Sequence, residues 1–266
     1  MSRPLILLSN DDGIQAAGLK ALAEAMREVG EVVVIAPEVE RSAMGHAITI
    51  SDPLRVKEVD LGLDGVSAYA CSGTPADCVK LGLLSMLSRK PDLVVSGINH
   101  GGNTGVSVIY SGTVSAAAEG TILGVPGLAV SVDAREVSSF EPTQAVAYHV
   151  ARGVLDHGLP SGTLLNINVP ALPVEQLPAG TMNGQGYVLT VHGKSDWQDH
   201  FDRRVDPNNR VYYWLSARKR VVSEVPETDE ETLKAGRVSI TPLHYNLTDY
   251  KARKTIASWD LFSKPK

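Results

Sequence analysis

Short apolar runs alternate with amphipathic helical segments along the first two thirds of the chain. Three of these runs span residues 4–9, 31–36 and 92–96. In residues 18–29 the apolar side chains recur with helical spacing, and Gly30 follows at a position that commonly ends helices. Strands that are apolar on both faces and alternate with helices predict a parallel sheet covered on both sides. We therefore predict an α/β fold, doubly wound, with a mostly parallel, Rossmann-like sheet.

The same alternation continues to about residue 170. We expect helices at 113–123 and 144–156 and strands at 127–132 and 163–168. Residues 72–77 read Ser-Gly-Thr-Pro-Ala-Asp, where Thr74 can cap a helix and Pro75 suits its first position. Asp77 completes the spacing of a capping box, so this segment predicts a helix start.

The pattern changes from about residue 180 onwards. A turn signal at 206–209 precedes the aromatic run 210–215, which predicts a β-hairpin, and a late strand is expected at 237–241. We expect the charged runs 218–220 and 224–231 to be solvated surface. This divides the chain into a Rossmann-like catalytic core, residues 1–180, and a C-terminal hairpin and extension, residues 181–266, that completes the same fold.

Charge and composition exclude several classes of function. The formal net charge of −5 provides no basic field for a nucleic-acid duplex. No apolar run approaches the length of a membrane span, and the apolar run at 5–8 is too short for a signal peptide. A cytoplasmic location is therefore the expectation. The two cysteines, Cys71 and Cys78, are too few for a cysteine-type zinc site and are expected to be reduced packing residues.

Polar segments follow three of the predicted strands. Residues 10–13 read Asn-Asp-Asp-Gly, residues 37–46 form a long loop, and residues 97–103 contain Asn99. A parallel sheet places these segments at one edge, where the adjacent carboxylates of Asp11 and Asp12 repel each other unless a cation compensates. Carboxylate, hydroxyl and amide oxygens favour Mg²⁺, Mn²⁺ or Ca²⁺ over zinc. The alternative for Asp11 and Asp12 is an Asx-type turn before a helix.

A small-residue segment, 110–120, runs into a predicted helix. Ser111, Gly112 and Thr113 would present backbone N–H groups and hydroxyls at the positive end of that helix, which suits a phosphate. An ordinary helix cap is the alternative. A cation site and an anion site on the same edge together predict metal-assisted phosphoryl transfer to water. His46 and His100 lie in the same loops and either donate protons or have no catalytic role.

Other known catalytic motifs are incomplete or absent in this sequence. Gly13 and Gly18 have the separation of a P-loop, but Leu19 precedes Lys20, so the ending of that motif is missing. The dinucleotide fingerprint, the nucleophile elbow and the zinc-protease motif HExxH are also absent, and residues 10–12 do not supply the D-x-D of haloacid-dehalogenase phosphatases. A metal-dependent glycosyltransferase and a non-catalytic nucleotide-binding module remain open alternatives.

Several motifs together resemble the SurE family, the survival protein E nucleotidases. They lie, in the family's order, at residues 8–14, 36–38 with 41–42, 72–77, 96–103, 110–114, 212–214, 228–229 and 238–243. The resemblance covers nearly the whole chain. It implies a divalent-metal phosphatase that hydrolyses nucleoside 5′-monophosphates, and it leaves open whether 3′-monophosphates and polyphosphate are also substrates.

The resemblance also assigns roles to individual residues. The implied ligands of one Mg²⁺ or Mn²⁺ ion per subunit are Asp11, Asp12, Ser42 and Asn99, with Asp11, Asp12 and Asn99 catalytic. The implied phosphate-binding residues are Asn10, Asn103, Ser111, Gly112 and Thr113. Family members form homodimers and often tetramers through the C-terminal extension, so a nucleoside monophosphate and a second copy of the chain are the expected partners.

Overall fold

Nine strands form one sheet among the residues that the computed structural model describes, which are 3–177, 186–221, 227–259 and 261. The strands of the chain are β1 (Leu5–Ser9), β2 (Glu31–Pro37), β3 (Val56–Val59), β4 (Val66–Cys71), β5 (Leu93–His100), β6 (Gly127–Val132), β7 (Thr163–Val169), β8 (Tyr187–Leu189), β9 (Ser195–Val205), β10 (Val211–Val221) and β11 (Val238–His244). The order across the sheet is β3-β4-β2-β1-β5-β6-β7-β11-β8, and β9 pairs with β10 separately.

The centre of the sheet is parallel and its margins are antiparallel. Strands β4, β2, β1, β5, β6 and β7 run in the same direction. At one margin β3 is antiparallel to β4, and towards the other β11 is antiparallel to β7. The predicted doubly wound, mostly parallel α/β fold is confirmed.

Helices cover both faces of the sheet. The α-helices of the described residues are α1 (Ala17–Arg27), α2 (Pro75–Leu81), α3 (Ser107–Tyr110), α4 (Gly112–Ile122), α5 (Glu141–His157), α6 (Asp229–Lys234) and α7 (Tyr250–Ile256), of which α3 and α7 bury no residue. Ile6 and Leu8 of β1 join the apolar core beneath α1 and α5, whereas Leu7 joins the core beneath α2 and α4. None of the helices in the described part of the chain is long and apolar enough to cross a membrane.

The C-terminal region contains more structure than the sequence pattern indicated. The hairpin is confirmed, with strands longer than expected and with Asp206 accepting hydrogen bonds from the backbone of Asn208 and Arg210 in the turn. The acidic run was wrongly expected to be solvated, because Asp229 and Glu230 of α6 are buried. Residues 224–226 of that run and the proposed division at residue 180 lie outside the described residues.

The strand order creates a switch point between β1 and β5. After β1 the chain adds β2 and β4 on one side, and it later returns to add β5, β6 and β7 on the other. Ligands of doubly wound sheets bind beyond the carboxyl ends of the strands at such a point. The segment after β1, residues 10–13, and the segment after β5, residues 101–106, both start there.

Candidate metal site at the carboxyl edge of the sheet

Asp11 lies between the end of β1 and the start of α4. Its side chain is buried, and its Oδ1 accepts a hydrogen bond of 2.5 Å from the hydroxyl of Thr113. Burial raises the pKa of Asp11, and hydrogen bonds from the Thr113 hydroxyl and from nearby backbone groups, including those of Thr113 and Gly112, partly offset this. A Cβ atom on Gly112 would lie 2.7 Å from the Cβ of Asp11, so glycine is what allows the helix start to approach the carboxylate.

Asp12 is half-buried beside Asp11. Its Oδ2 is buried and has no hydrogen-bond donor among the described residues. Burial raises the pKa of Asp12 to about 6, repulsion from Asp11 adds to the rise, and His100 opposes it. A cation stabilises two adjacent carboxylates, one of which raises the pKa of the other, and an unpartnered buried oxygen supplies a ligand for it.

Further oxygen atoms near the strand ends are buried without a hydrogen-bond donor in the described structure. They are the Oγ of Ser9, the Oδ1 of Asn10 and the Oγ of Ser96. The amide nitrogen of Asn10 donates to the Gly13 carbonyl at 3.0 Å, which fixes the amide. This donor set is made of oxygen, which fits Mg²⁺ or Mn²⁺.

Asn99 is the last residue but one of β5 and directly precedes His100, whose backbone contacts Asp12. Its amide nitrogen donates to the carbonyls of His100 and Gly101 at 3.1 and 2.7 Å, which leaves the amide oxygen as the atom able to bind a cation. Within the described part of the chain, no three His, Cys, Asp or Glu side chains come together as a metal site. A cation site here would therefore combine the two carboxylates with amide or hydroxyl oxygens.

The structure brings the Ser42 segment to the site, but not the Ser42 hydroxyl. The backbone N–H of Arg41 donates to the carbonyl of Asp11 at 2.7 Å. The hydroxyl of Ser42 is exposed and donates to Glu40 at 2.8 Å. Binding a cation with Ser42 would require this hydroxyl to exchange its partner.

Asn103 is held by polar residues inside neighbouring strands. Its backbone N–H donates to Asn168, its carbonyl accepts from Asn166 and Asn168, and its side chain donates to Ser131. None of these contacts includes Asp11 or Asp12. Asn166, Asn168 and Ser131 were not predicted from the sequence, although polar residues within otherwise apolar strands were a usable signal.

The predicted phosphate-binding segment forms the start of α4. The hydroxyl of Ser111 accepts from the Val114 N–H, so Ser111 is an ordinary helix cap, which was the stated alternative. Thr113 and Gly112 instead contact Asp11. The structure therefore joins the predicted anion site and the predicted cation site at one carboxylate.

The two histidines of the edge loops have different surroundings. The Nε2 of His46 lies 2.8 Å from the carboxylate of Glu119 on α4. The His100 ring packs edge-on against Phe140, with centroids 5.3 Å apart. Backbone hydrogen bonding from His100 to Asp12 also lowers the pKa of that carboxyl. His100 therefore borders the candidate site directly, whereas His46 contacts a neighbouring helix.

The C-terminal region reaches the glycine-rich loop after β5. The carboxylate of Asp229 is fully buried and accepts from the backbone N–H groups of Gly105 and Gly193 at 2.9 and 3.0 Å. The Nε2 of His192 lies 2.5 Å from the Gly105 carbonyl. The backbone N–H and the carbonyl of Gly105 are thus both held by residues far along the chain, and neither contact was predicted from the sequence.

The raised pKa of Asp12 predicts a change in stability when its charge is removed. Its pKa of about 6 in the folded state exceeds the ordinary aspartate pKa of 3.8, so the wild type loses stability as the pH rises between these values. Asp12→Asn cannot titrate. With chelator present at pH 7.5, the free energy of unfolding of Asp12→Asn should be about 1 kcal/mol higher than that of the wild type. This figure allows for the partial exposure of the Asp12 side chain.

Urea unfolding of both proteins in chelator at pH 7.5 and pH 4 measures this difference. The advantage of Asp12→Asn should shrink at pH 4, where the wild-type carboxyl is protonated in the folded state. An equal difference at both pH values would mean that burial of the Asp12 charge does not cause it.

The fold and the site together define a class of doubly wound α/β proteins with a polar, oxygen-rich site at the switch point of the sheet. A family model described as "Survival protein SurE" matches residues 6–199. The chain belongs to the SurE family.

Relatives and a solved structure agree over nearly the full length. The chain is 48% identical to the 5′-nucleotidase SurE of Geobacter sulfurreducens, over 96% of this chain and 94% of that protein. It is 43% identical to the 5′-nucleotidase SurE of Christiangramia forsetii, over 97% and 98% of the two chains. A crystal structure of the SurE protein from Aquifex aeolicus matches with a TM-score of 0.81 and 40% identity, over 96% and 98% of the chains.

Proposed function

We propose that this protein is a metal-dependent 5′-nucleotidase, which hydrolyses nucleoside 5′-monophosphates to nucleoside and phosphate. The observation that carries the proposal is the pair Asp11 and Asp12, with an unpartnered buried oxygen on Asp12, directly against the N-terminus of α4. The relatives named 5′-nucleotidase, at 43% and 48% identity over almost the whole chain, support it.

Asp11, Asp12, Ser42 and Asn99 would hold one Mg²⁺ or Mn²⁺ ion. When bound, the ion supplies Lewis-acid chemistry, which polarises the phosphate and makes water a stronger nucleophile. Asp11 and Asp12 provide the negative charge that holds the ion, and the amide oxygen of Asn99 adds a neutral ligand. The Ser42 hydroxyl would leave Glu40 to complete the set.

The phosphate would be oriented by the start of α4, with Asn10 and Asn103 nearby. Ser111, Gly112 and Thr113 would present N–H groups, and the dipole of α4 favours negative charge there. Such fixed donors hold the phosphate for in-line attack by water and stabilise the charge of the transition state. In that step a bond forms between the water oxygen and phosphorus, the bond from phosphorus to the 5′ oxygen breaks, and the proton that the water loses is balanced by the proton that the 5′ oxygen gains.

A homodimer, or a tetramer of two such dimers, completes the proposal, with contacts through the C-terminal extension that follows the 1–180 core. The hairpin exposes Tyr213, Trp214 and Leu215, each 59% accessible, and α7 has no buried residue. Tyr213 and Leu215 lie on one face of the strand and Trp214 on the other, so the hairpin offers exposed apolar surface on both faces, and such surface marks sites of association. A cytoplasmic location is part of the same proposal.

The test is a substrate panel on protein stripped of metal. Nucleoside 5′- and 3′-monophosphates and polyphosphate are offered with Mg²⁺, Mn²⁺ or Zn²⁺, and free phosphate and nucleoside are measured. We expect release of both products from 5′-monophosphates, with loss in chelator and recovery in Mg²⁺ or Mn²⁺. Transfer of sugar from a nucleotide sugar would support a glycosyltransferase instead, and nucleotide binding without turnover would support a binding module.

A further inference from the structure

Residues 38–50, named the rim loop here, carry Ser42 but bury none of their own side chains. Met44 and Ile48 are almost half exposed, and Ile50 is 83% exposed. A segment without buried apolar contacts opens at little cost in free energy. The rim loop must therefore be held in one position by contacts that other parts of the chain provide.

The first such contact is made by Glu119 on α4. Its side chain is only 4% exposed, and its two carboxylate oxygens lie 2.8 Å from His46 of the rim loop and 2.5 Å from Lys80 of α2. Burial raises the pKa of Glu119, but His46 and Lys80 outweigh this and hold it below its usual range. One buried carboxylate thus joins the rim loop to two helices.

The second contact is made by Asp77 at the start of α2. Its buried carboxylate accepts from the backbone N–H and from the hydroxyl of Thr49, at 2.9 and 2.6 Å. The hydroxyl of Thr74 donates to the Ala47 carbonyl at 2.7 Å. The motif at 72–77 was predicted as a helix start, which is confirmed, and it also binds the end of the rim loop.

Backbone contacts fix the beginning and the middle of the rim loop. Besides the bond from Arg41 to the Asp11 carbonyl, the Arg41 guanidinium donates to the Ser72 carbonyl at 3.2 Å. The N–H of Gly45 donates to the Tyr110 carbonyl at 3.0 Å. Along the chain, Ser42 therefore lies between the hydrogen bond from Arg41 to Asp11 and the contacts that the later part of the rim loop makes with Glu119 and Asp77.

We propose that Glu119 and Asp77 are positioning residues, which fix the rim loop against Asp11 so that Ser42 and the two carboxylates can reach the same cation. The inference rests on the proposed function, because it concerns the cation of that site. Neither Glu119 nor Asp77 is among the proposed ligands. Burying a carboxylate costs free energy that apolar residues would not cost, and here the contacts of the two carboxylates with His46 and Thr49 define the position of the rim loop.

The test compares Glu119→Gln with the wild type and with Glu31→Gln. Glu31 pairs with Arg89, is 58% exposed, and lies at the start of β2, at the opposite end of that strand from the site. We expect Glu119→Gln to raise the Mn²⁺ concentration for half-maximal phosphate release by about tenfold, as loss of residues that orient metal ligands typically does. The KM for the nucleotide should change much less, and Glu31→Gln should match the wild type.

A second measurement does not depend on activity. In the metal-free protein, trypsin should cleave after Arg41 faster in Glu119→Gln than in either the wild type or Glu31→Gln. His46→Leu removes the contact between His46 and Glu119 by changing the more exposed partner. This variant tests the inference if Glu119→Gln fails to fold. It should reproduce both effects, and adding it to Glu119→Gln should change little.

The outcomes separate this inference from the proposed function. If the wild type releases no phosphate with any metal, the proposed function is wrong. The rates of trypsin cleavage after Arg41 then still show whether Glu119 fixes the rim loop. If the wild type is active but Glu119→Gln and His46→Leu keep its Mn²⁺ midpoint and cleavage rate, the inference is wrong. A lower kcat at saturating Mn²⁺ with an unchanged midpoint would also contradict it.

Discussion

Asp11→Asn is expected to lower phosphate release by about three orders of magnitude while the protein stays folded. Removing one charged ligand costs several kcal/mol of transition-state stabilisation, and each 1.36 kcal/mol is about a factor of ten in rate. The measurement is kcat for a nucleoside 5′-monophosphate at saturating Mn²⁺, together with the Mn²⁺ affinity from calorimetry.

The contacts of Asp11 explain why the isosteric amide does not substitute. The carboxylate offers two acceptor oxygens, one of which takes the Thr113 hydroxyl. Asparagine keeps one oxygen and places an NH₂ group where the second was, so either the bond to Thr113 or the bond to a cation is lost.

The control for Asp11 is Asp60→Asn. Asp60 is also a carboxylate that accepts a backbone hydrogen bond, from Gly62 at 2.7 Å, but it is exposed and lies in the β3–β4 connection. It should keep wild-type activity. Activity of Asp11→Asn within about twofold of that control, less than 0.5 kcal/mol on the same scale, would remove Asp11 from the proposed ligand set.

Gly112→Ala should abolish most of the activity through a single methyl group. The added Cβ would lie 2.7 Å from the Cβ of Asp11 and 2.8 Å from its Oδ2, closer than such atoms approach. Either Asp11 or the start of α4 must move, and a displacement of about 1 Å at a reacting centre can cost about a hundredfold in rate. The measurement is kcat/KM with circular dichroism to verify the fold.

Gly153→Ala is the matched control in helix α5. A Cβ there meets no heavy atom within 4 Å, so alanine adds helix propensity without a clash. It should raise the free energy of unfolding by about 0.5–1 kcal/mol and leave activity unchanged. If Gly112→Ala also kept wild-type activity, the close approach of α4 to Asp11 would not matter for catalysis.

Most of the parallel centre of the sheet was predictable because its strands are buried on both faces. Such strands read as continuous apolar runs, as β1 and β5 do. Strand β4, whose first half is partly exposed, was not predicted. Strand β3 was missed because it lies at the margin of the sheet, and its sequence Val-Lys-Glu-Val is mostly exposed. Helix α6 was missed because its buried acidic residues resemble a surface charge run, and only its tertiary contacts explain their burial.

That the segments carrying Asp11, Asp12 and Asn99 end at one edge of the sheet was predictable from topology alone. Parallel strands bring their carboxyl ends to one edge, so residues directly after them must be neighbours. Contacts between side chains far apart in sequence, such as His46 with Glu119 or Gly105 with Asp229, leave no local pattern to read. The direction of the Ser42 hydroxyl towards Glu40 was likewise beyond the sequence.

The contacts of Asp229 and His192 with Gly105 limit how far this protein can be shortened. A fragment ending near residue 180 would lack both residues, and it would also lack β11, which pairs with β7. Strand β7 would then be left with an unpaired edge, which recruits other chains and leads to aggregation. The last third of the chain therefore protects the edge of β7 in addition to forming the hairpin, and we expect a fragment without it to aggregate.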